Sequence, residues 1–590
     1  MGKTLLFICS IALSWFFTSC QTTRDLSAVK EPFYSEVHLK FAEWNRDSTC
    51  CSARGREIAI ASHGEQASRA GLQISRAGGN VVDVAIATAF TLAVEHPHSM
   101  GLGGGGFLLL HLVEPKPQDF FIDFRETAPR LATREMYLDE KGNVIPEKST
   151  VGAFAVATPG FVAGLYEVHQ RWGKLPWKQV LTPAIDLAKK GFVIYPSLAQ
   201  ALKDASRHFE KDPYLKTIFA NAKGEVLGMG DRLIQKDLAQ TLEKIARDGK
   251  HVFYNGALGK EISKFLKERG GFLDLEDLRS YQVRVREPIR GTFRDFEFVT
   301  APPPSAGGIL LSQMLGLLEK YPLEADAVQP HEYVHLLSQV MKRGFADRSR
   351  YVGDPDFFHE PFQFLYSQAY LQKIQKQLNR DKNTPSSEYT PGDNYALDRG
   401  TSHLSVLDRK GNAVSSTLTI NDSFGSELAV PGAGFFLNNE MDDFSSKPGE
   451  PNVYGLTGGE ANAIQPGKRP VSSMMPTIVF RSGVPILVVG GSGGSRIISS
   501  VTQVILNDLV LFPFDLKRAV FAPRMHHQWV PDRLDLEGAF LTKTQEELKS
   551  KGHTLGAWPF LAKVQAVELD PSGLLIGVFD PRDHGGAEAY

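Results

Sequence analysis

The sequence has little cysteine, almost no net charge and no long hydrophobic run. It contains 4 cysteines in 590 residues: Cys9, Cys20 and the adjacent pair Cys50 and Cys51, whose direct disulfide would be strained. We therefore expect a fold that does not depend on disulfide bonds. Lys and Arg total 65 against 67 Asp and Glu, a net charge of -2, which gives no electrostatic reason to expect a nucleic acid as partner.

The composition is that of a folded globular protein. Hydrophobic residues make up 42% and charged residues 22% of the chain, both ordinary values. The length would allow several average domains, but neither an internal repeat nor a low-complexity tract divides the chain. We expect one large unit whose ligands are small molecules.

The amino terminus has the pattern of an export signal. Lys3 precedes an apolar stretch over residues 5–17, which is shorter than the roughly 20 residues that span a bilayer, so residues 1–20 are predicted to be a signal peptide. The end of this stretch, residues 17–20 (FTSC), resembles a bacterial lipoprotein cleavage site, with Cys20 as the lipidated residue. We expect an exported protein, periplasmic or associated with the cell surface or outer membrane. The alternatives are an uncleaved anchor or a plain secretory signal. Residues 21–55 are polar and predict an irregular tether.

The first 400 residues combine helices with a few strands. Helices are predicted over residues 66–76 and 81–94, followed by the glycine-rich residues 101–106 and by strands over residues 107–113 and 120–123. Arg125 comes just after the second strand. Residues 160–380 are mainly helical by periodicity, with clear amphipathic segments at 172–190 and 329–345. Residues 381–400 have the composition of an exposed linker.

From residue 401 the pattern changes to strands. Residues 403–407 and 413–420 predict a hairpin, and residues 478–480 and 486–489 predict another pair of strands. Residues 490–495 (GGSGGS) follow, and then a helix from residue 496 to about 511. A glycine loop between a strand and a helix presents backbone N–H groups to an anion or an oxyanion.

Thr401 is a candidate nucleophile because it begins the strand-like run directly after Gly400. A threonine hydroxyl needs a proton acceptor to react. If the Gly400–Thr401 bond were cut, the new α-amine would have a pKa of about 7.7–8 and would lie within reach of the hydroxyl of the same residue. The alternative is a β-branched residue that merely starts a strand.

Ser492 is a rival nucleophile. Residues 490–494 match the GxSxG pattern in a strand, turn and helix context, and four histidines follow at His526, His527, His553 and His584. The antiparallel-looking strands and the lack of a regular βα alternation argue against a serine triad. A phosphate-binding loop is weaker still, because no Lys followed by Ser or Thr closes it.

Several stretches in order carry a family resemblance. They are residues 100–107 (MGLGGGGF), 122–129 (IDFRETAP), 401–408 (TSHLSVLD), 437–445 (LNNEMDDFS), 451–456 (PNVYGL), 468–477 (KRPVSSMMPT) and 490–497 (GGSGGSRI). From about residue 62 to 590 the chain resembles the γ-glutamyltranspeptidases (γ-glutamyltransferases), which are N-terminal nucleophile hydrolases. The resemblance implies an α+β fold, a four-layer αββα sandwich built jointly by two self-processed subunits, the large one from residues 56–400 and the small one from residues 401–590.

The resemblance also implies an activity that needs neither a cofactor nor a metal. The Thr401 hydroxyl would attack the Gly400 carbonyl, release the small subunit and then take the γ-glutamyl group from glutathione or a related compound. Water, an amino acid or a dipeptide would accept that group. Thr419 would support the nucleophile, and Gly493 and Gly494 would supply the oxyanion N–H groups.

A γ-glutamyl donor carries a carboxylate and an ammonium, so its pocket needs opposite charges. Arg125 suits the carboxylate, because its planar fork can bind both oxygens. By resemblance, Ser472 and Ser473 would share that carboxylate, Tyr454 would lie on a lid loop over residues 447–459, and the ammonium acceptors would be Asn421, Glu440 and Asp443. The alternatives are a surface ion pair for Arg125 and turn chemistry for the polar cluster around residues 438–443.

Some departures and rival functions remain. Glu440 stands where many bacterial relatives have Gln, and Ser402 replaces a frequent second Thr. The lid loop argues against the cephalosporin-acylase branch, although a glutaryl-specific acylase of the same fold stays an alternative, as do a serine hydrolase using Ser492 and a non-enzymatic surface lipoprotein. The histidines at positions 96, 98, 526 and 527 lack a third ligand at regular spacing, and we expect them to be structural.

Overall fold

The computed structural model describes residues 51–590 apart from residues 210, 328, 360, 390–399 and 539. The signal peptide predicted for residues 1–20, Cys20, the tether up to residue 50 and half of the linker at 381–400 therefore lie outside the described residues. The end of the predicted tether is not irregular, because Ser52–Gly55 form a strand. Cys51 is disulfide-bonded, although the cysteine pattern predicted no dependence on such bonds.

Two seven-stranded antiparallel sheets form the centre of the molecule. The strands are β1 Ser52–Gly55, β2 Ile58–Ser62, β3 Gly105–Leu112, β4 Gln118–Asp123, β5 Phe192–Val193, β6 Arg232–Leu233, β7 Arg284–Arg286, β8 Ile289–Phe293, β9 Phe296–Thr300, β10 Ser402–Asp408, β11 Ala413–Thr419, β12 Thr477–Arg481, β13 Val484–Ser492, β14 Met525–His526, β15 Leu534–Glu537, β16 Leu555–Trp558, β17 Lys563–Leu569, β18 Leu575–Val578 and β19 Gly586–Ala589. One sheet has the order β19-β2-β10-β11-β3-β4-β7 and the other β1-β18-β17-β13-β12-β9-β8.

Helices cover the outer face of each sheet. They are α1 Glu65–Arg76, α2 Val81–Glu95, α3 Phe161–Trp172, α4 Trp177–Lys190, α5 Pro196–Asp204, α6 Ser206–Phe209, α7 Pro213–Phe219, α8 Lys236–Asp248, α9 His251–Tyr254, α10 Ala257–Lys267, α11 Leu275–Ser280, α12 Gly307–Leu318, α13 Leu323–Ala327, α14 Pro330–Tyr351, α15 Gln368–Gln375, α16 Arg496–Leu506, α17 Leu516–Phe521 and α18 Thr542–Ser550. Helices α1 and α2 pack on the first sheet, and α12 and α16 on the second, while β10 and β11 face β13 and β17 across the middle. The predicted four-layer αββα sandwich is confirmed.

Strand β10 lies at the centre of the first sheet. It pairs with β2 on one side and with β11 on the other, and nearly all of its residues are buried. Because the strand is covered on both faces, its polar residues are buried as well, and His403 and Ser405 satisfy their side chains by hydrogen bonds inside the protein. Thr401 stands directly before this strand, at the amino-terminal end of a central strand of the sheet.

Most of the predicted elements near the site are confirmed. The helices at 66–76 and 81–94 match α1 and α2, the hairpin matches β10 and β11, and the helix after the glycine loop is α16, which continues as a π-helical turn over Asn507–Leu511.

The middle of the chain differs from its prediction in two places. The amphipathic segment predicted at 172–190 is not one helix, because Gly173 and Pro176 interrupt it between α3 and α4. The region is mainly helical, as predicted, but it also contains three strands that were not expected. Strands β7 and β8 form one edge of each large sheet, and β9 lies between β8 and β12. No helix in the described ranges has both the length and the apolar character needed to cross a bilayer.

Candidate active site

Thr401 is held at the start of β10 by its backbone and its hydroxyl. Its N–H donates to the Ser99 carbonyl at 3.0 Å, and its Oγ1 lies 3.0 Å from Thr419 Oγ1. Because Ser402 pairs with Leu418, Thr401 and Thr419 are the next residues along the two strands. The antiparallel register therefore brings the two hydroxyls together.

The Thr419 hydroxyl is oriented by the chain that follows it. Thr419 Oγ1 accepts a hydrogen bond from the Asn421 N–H at 2.8 Å. This contact leaves the hydroxyl proton of Thr419 available to donate to Thr401 Oγ1.

The backbone of Thr401 is strained in the uncut chain. Its φ is 89°, a conformation that a β-branched residue rarely adopts. The neighbouring Gly400 has no room for a side chain, since a Cβ there would lie 1.6 Å from the Asn421 carbonyl oxygen. The cleavage site predicted from the sequence therefore combines a strained backbone angle at Thr401 with a position that has room only for glycine.

The predicted site residues meet around one small cavity. Its lining includes Thr401, Thr419, Arg125, Asn421, Glu440, Asp443, Tyr454, Ser472, Ser473 and Gly494. Gly493 is not part of the lining but directly precedes Gly494. The cavity volume is about 20 Å³, room for about one water molecule.

Opposite charges face each other inside this cavity. The Arg125 side chain is buried and donates to Asp443 Oδ2 at 2.5 Å and to Glu440 Oε1. Glu126 Oε2 lies 3.7 Å from the same guanidinium. Arg125 is thus already compensated by carboxylates of the protein itself.

Burial raises the pKa of all three of these carboxyl groups. The pKa of Glu440 lies well above its usual value because of burial, which the charge of Arg125 offsets only in part. The pKa of Glu126 rises to about 7 and that of Asp443 rises as well, again mainly through burial. Two cavity-lining carboxylates that are costly to keep ionised are ready acceptors for an ammonium group.

Two hydrogen bonds join the loop of residues 447–459 to other residues that line the cavity. The Tyr454 hydroxyl donates to the Asn421 carbonyl at 2.8 Å, and Asn452 Nδ2 donates to Asp443 Oδ1 at 3.0 Å. Both contacts join the 447–459 loop to predicted ammonium acceptors. The loop therefore closes the cavity in this state.

Ser472 and Ser473 line the opposite side. Ser472 N donates to the Pro304 carbonyl at 2.9 Å, and its Oγ accepts from Met474 N at 3.1 Å. These contacts fix the backbone at Ser472, beside Ser473 in the cavity lining.

The glycine loop after β13 has the conformation that its composition predicts. Gly493 and Gly494 have φ values of 133° and 46°, which residues with a side chain rarely adopt. Gly494 reaches the cavity beside Thr401, so its N–H is the backbone donor best placed for an oxyanion.

Ser492 is not equipped as a nucleophile. Its Oγ lies 2.9 Å from His63 Nε2, but His63 Nδ1 accepts from the His403 N–H at 2.9 Å. The imidazole proton therefore resides on Nε2, so that His63 donates to Ser492 and cannot take its proton. Burial lowers the pKa of His63 to about 4, which keeps the ring neutral.

The other histidines serve packing and hydrogen bonding. His96 stacks on His98, while His526 bonds to Ser499 and His527 to Asp532. Among residues 51–590 with the gaps given above, no group of three or more His, Cys, Asp or Glu side chains is arranged to hold a metal ion. A larger cavity of about 560 Å³ near the carboxyl terminus is lined by Arg69, Asp583 and His584, and it contains none of the residues predicted to act with Thr401.

The sequence did not single out four residues of the cavity lining. These are Arg348, Leu456, Met474 and Ile497. In the sequence, the three apolar residues have the pattern of ordinary core positions. Arg348 has the pattern of a basic residue in the last turn of a long amphipathic helix. Only the packing of α14 against the 447–459 loop brings Arg348 to the cavity.

Comparison with known proteins finds relatives along nearly the whole described chain. The family model of γ-glutamyltranspeptidase matches residues 67–590. The glutathione hydrolase proenzyme of Pseudomonas aeruginosa is 44% identical over 89% of this chain and 93% of its own length. That of Escherichia coli is 41% identical over 90% of this chain and 91% of its own length.

The fold is similar to that of an enzyme whose crystal structure is known. The crystal structure of a cephalosporin acylase from Bacillus halodurans superposes with a TM-score of 0.78 at 27% identity, covering 91% of this chain and 97% of that one. Sequence, fold and the order of the matched stretches agree, and this chain belongs to the γ-glutamyltranspeptidase family.

Proposed function

We propose that this protein is a self-processing γ-glutamyl hydrolase and transferase that acts on glutathione and related γ-glutamyl compounds. The observation that carries the proposal is that the Thr401 hydroxyl lies in the same cavity as buried charged groups of both signs, among them Arg125, Glu440 and Asp443. Relatives at 41% and 44% identity are glutathione hydrolase proenzymes.

The first reaction is the cut between Gly400 and Thr401. Thr401 Oγ1 attacks the Gly400 carbonyl carbon, the C–N bond breaks, and the nitrogen takes up the proton that the hydroxyl loses and becomes an amine. The resulting ester between Gly400 and Thr401 Oγ1 is hydrolysed by water. The angle φ of Thr401 exists only while the peptide bond is intact, so cleavage releases the strain at 89° and assists the reaction.

The cut divides the chain into a large subunit ending at residue 400 and a small subunit of residues 401–590. Because β10 lies between β2 and β11 in one sheet, the two subunits stay interleaved as a heterodimer. No new fold is needed after processing.

The second reaction uses the new amine. The α-amine of Thr401 takes the proton of its own hydroxyl, and Oγ1 attacks the γ-carbonyl carbon of the donor. The backbone N–H groups of the loop at Gly493 and Gly494 stabilise the oxyanion, and the donor's leaving amine departs with a proton. Water then releases glutamate from the ester, or the amine of an amino acid or dipeptide takes the γ-glutamyl group.

Recognition of the donor is an exchange of ion pairs. In the closed cavity Arg125 pairs with Glu440 and Asp443. The α-carboxylate of the donor replaces these acids at Arg125, while its ammonium takes the two acids, with Asn421 as a further acceptor and the hydroxyls of Ser472 and Ser473 at the carboxylate. A zwitterionic head therefore leaves no buried charge of these pairs uncompensated.

This exchange favours a γ-glutamyl over a glutaryl donor. A glutaryl group carries a carboxylate without an ammonium, so it would take Arg125 away from Glu440 and Asp443 and supply no cation in return. Breaking a buried pair in this way costs on the order of 3–5 kcal/mol. The likeness to a cephalosporin acylase is therefore a likeness of fold more than of substrate.

The location of the protein is also a proposal. We propose export through the signal at residues 1–20, followed by attachment to a membrane surface through lipidated Cys20. The support is the sequence pattern of this segment.

Intact mass spectrometry of the purified protein beside a Thr401→Ala variant tests the proposal. We expect two fragments from the wild type, the smaller beginning at Thr401, and an uncut variant. The processed protein should then release p-nitroaniline from L-γ-glutamyl-p-nitroanilide and cysteinylglycine from glutathione. An uncut wild type, or a processed one that accepts glutaryl-p-nitroanilide better than the γ-glutamyl donor, would contradict it.

A further inference from the structure

Arg348 is a second guanidinium in the active-site cavity. It lies in the last turn of α14, and its side chain lines the same cavity as Thr401, Arg125 and Asp443. Only 6% of Arg348 is exposed. The neighbouring Ser349 adjoins Gly459 at the end of the loop that closes the cavity.

The two guanidiniums differ in their partners. Arg125 has Glu440, Asp443 and Glu126 within ion-pair distance and the Pro470 carbonyl within hydrogen-bond distance. Arg348 makes neither a side-chain hydrogen bond nor an ion pair with any residue of the described ranges, and its Nε is buried without a hydrogen-bond partner.

A buried guanidinium without a partner is costly, and it cannot escape by losing its proton near neutral pH. Burial lowers the pKa of Arg348 to about 10, an effect that Asp443 opposes and Arg125 reinforces. The side chain therefore stays charged. A buried cation that the fold leaves unpaired indicates that a ligand supplies the anion.

The charges of the donor indicate which anion would pair with Arg348. When the ammonium of a γ-glutamyl donor takes Glu440 and Asp443, Arg125 alone would face the α-carboxylate. Asp443 and Arg125 are the charged groups that act most strongly on Arg348, so Arg348 lies at the amino-acid end of the donor.

We infer that Arg348 binds the α-carboxylate of the γ-glutamyl donor together with Arg125, and so contributes to the specificity for γ-glutamyl compounds. This inference rests on the proposed function. A carboxylate has two oxygens with about four lone-pair sites, so it can accept from two guanidiniums and from the Ser472 and Ser473 hydroxyls at once.

The test compares Arg348→Gln with wild type on two donors that differ in one group. L-γ-Glutamyl-p-nitroanilide has the α-carboxylate, and 4-aminobutyryl-p-nitroanilide lacks it but keeps the amine. For Arg348→Gln we expect kcat/KM to fall roughly 10- to 100-fold with the first donor, mostly through KM, and to change less than about threefold with the second. Arg348→Lys should recover part of the loss, because it keeps the charge without the planar fork.

Arg350→Gln is the matched control. Arg350 belongs to the same turn of α14, but it is exposed and its guanidinium lies over the Tyr351 ring. It should leave both donors unaffected. Intact mass spectrometry of each variant verifies that it is cut before Thr401.

The outcomes separate this inference from the function on which it rests. An equal loss with both donors would mean that Arg348 supports the fold alone. A loss with glutathione, measured as a third donor, but not with L-γ-glutamyl-p-nitroanilide would place Arg348 at the carboxylate of the leaving group. Either result overturns the inference while γ-glutamyl activity stands. A processed wild type without activity on the γ-glutamyl donor would overturn both.

Discussion

His63 donates a hydrogen bond to Ser492, with 2.9 Å between Nε2 and Oγ. The direction of this bond follows from the other side of the ring, where Nδ1 accepts from the backbone of His403. The bond joins the end of β2 to the glycine loop after β13. Ser492 lies in a hydrolase-like sequence pattern, but it accepts a hydrogen bond from the histidine that would have to take its hydroxyl proton.

Ser492→Ala should therefore leave the chemistry intact. We expect complete processing before Thr401 and a loss in kcat/KM below about 10-fold, the size of one hydrogen bond. Mass spectrometry and a γ-glutamyl-p-nitroanilide assay measure both. The comparison is Thr401→Ala, which we expect to be uncut and inactive; a Ser492→Ala protein as inactive as Thr401→Ala would restore serine as the nucleophile.

Thr419→Val should slow the reaction without weakening donor binding. The variant keeps the shape of the side chain but removes the hydroxyl 3.0 Å from Thr401 Oγ1. We expect kcat to fall roughly 10-fold or more with little change in KM, because Thr419 contacts the nucleophile and not the charged head of the donor.

Ser416→Ala on the same strand serves as the control for Thr419→Val. Its hydroxyl bonds to the Phe107 carbonyl, away from the cavity, so kcat should stay near wild type. A rise in KM with unchanged kcat in Thr419→Val would show that Thr419 acts on binding instead.

Glu440→Gln should change how donor binding depends on pH. Burial raises the pKa of Glu440, and Arg125 lowers it only in part. The ammonium of the donor needs the ionised carboxylate, and protonation is favoured below the raised pKa, so the wild-type KM should rise as pH falls through that value. In Glu440→Gln the KM should be roughly 10-fold higher near neutral pH and should depend less on pH.

The measurement is KM for the γ-glutamyl donor across the pH range in which the protein stays folded. Asp443 also has a raised pKa, so the informative quantity is the difference between wild type and variant. A variant with the same acid-side rise in KM as the wild type would show that Glu440 does not hold the ammonium.

Gly400→Ala should block processing. A Cβ at residue 400 would lie 1.6 Å from the Asn421 carbonyl oxygen, so the chain before Thr401 must move and carry the scissile carbonyl away from Oγ1. A misplacement of about 1 Å can cost roughly 100-fold in rate.

Gel electrophoresis over time compares Gly400→Ala with Gly228→Ala. Residue 228 lies in open surroundings, with its nearest neighbouring atom 4.0 Å from a Cβ, and that variant should process normally. If Gly400→Ala were cut as fast as the wild type, residue 400 would not lie as close to the Asn421 carbonyl in solution as in this structure.

Much of the site could be predicted because its parts carry local signals. Arg125 follows a strand, Gly493 and Gly494 follow another, and Thr401 follows a glycine at the start of a third. The central hairpin could also be predicted from the sequence, since β10 and β11 are joined by a short turn of residues 408–412. Strands β7 to β9 were not, because three to five residues between helices leave too short a pattern to detect.

The sequence by itself determined the family and predicted the place of cleavage and the types of side chain around the donor, because the nucleophile, the glycine loop and the charged residues lie in contiguous stretches. The tertiary structure decided which of these groups form ion pairs or hydrogen bonds with one another. Only packing shows that Arg125 is already paired with Glu440 and Asp443, that His63 donates to Ser492, and that Arg348 enters the cavity without a side-chain partner among the described residues. Charge compensation and hydrogen-bond direction depend on distances between residues far apart in the chain, and no local pattern contains those distances.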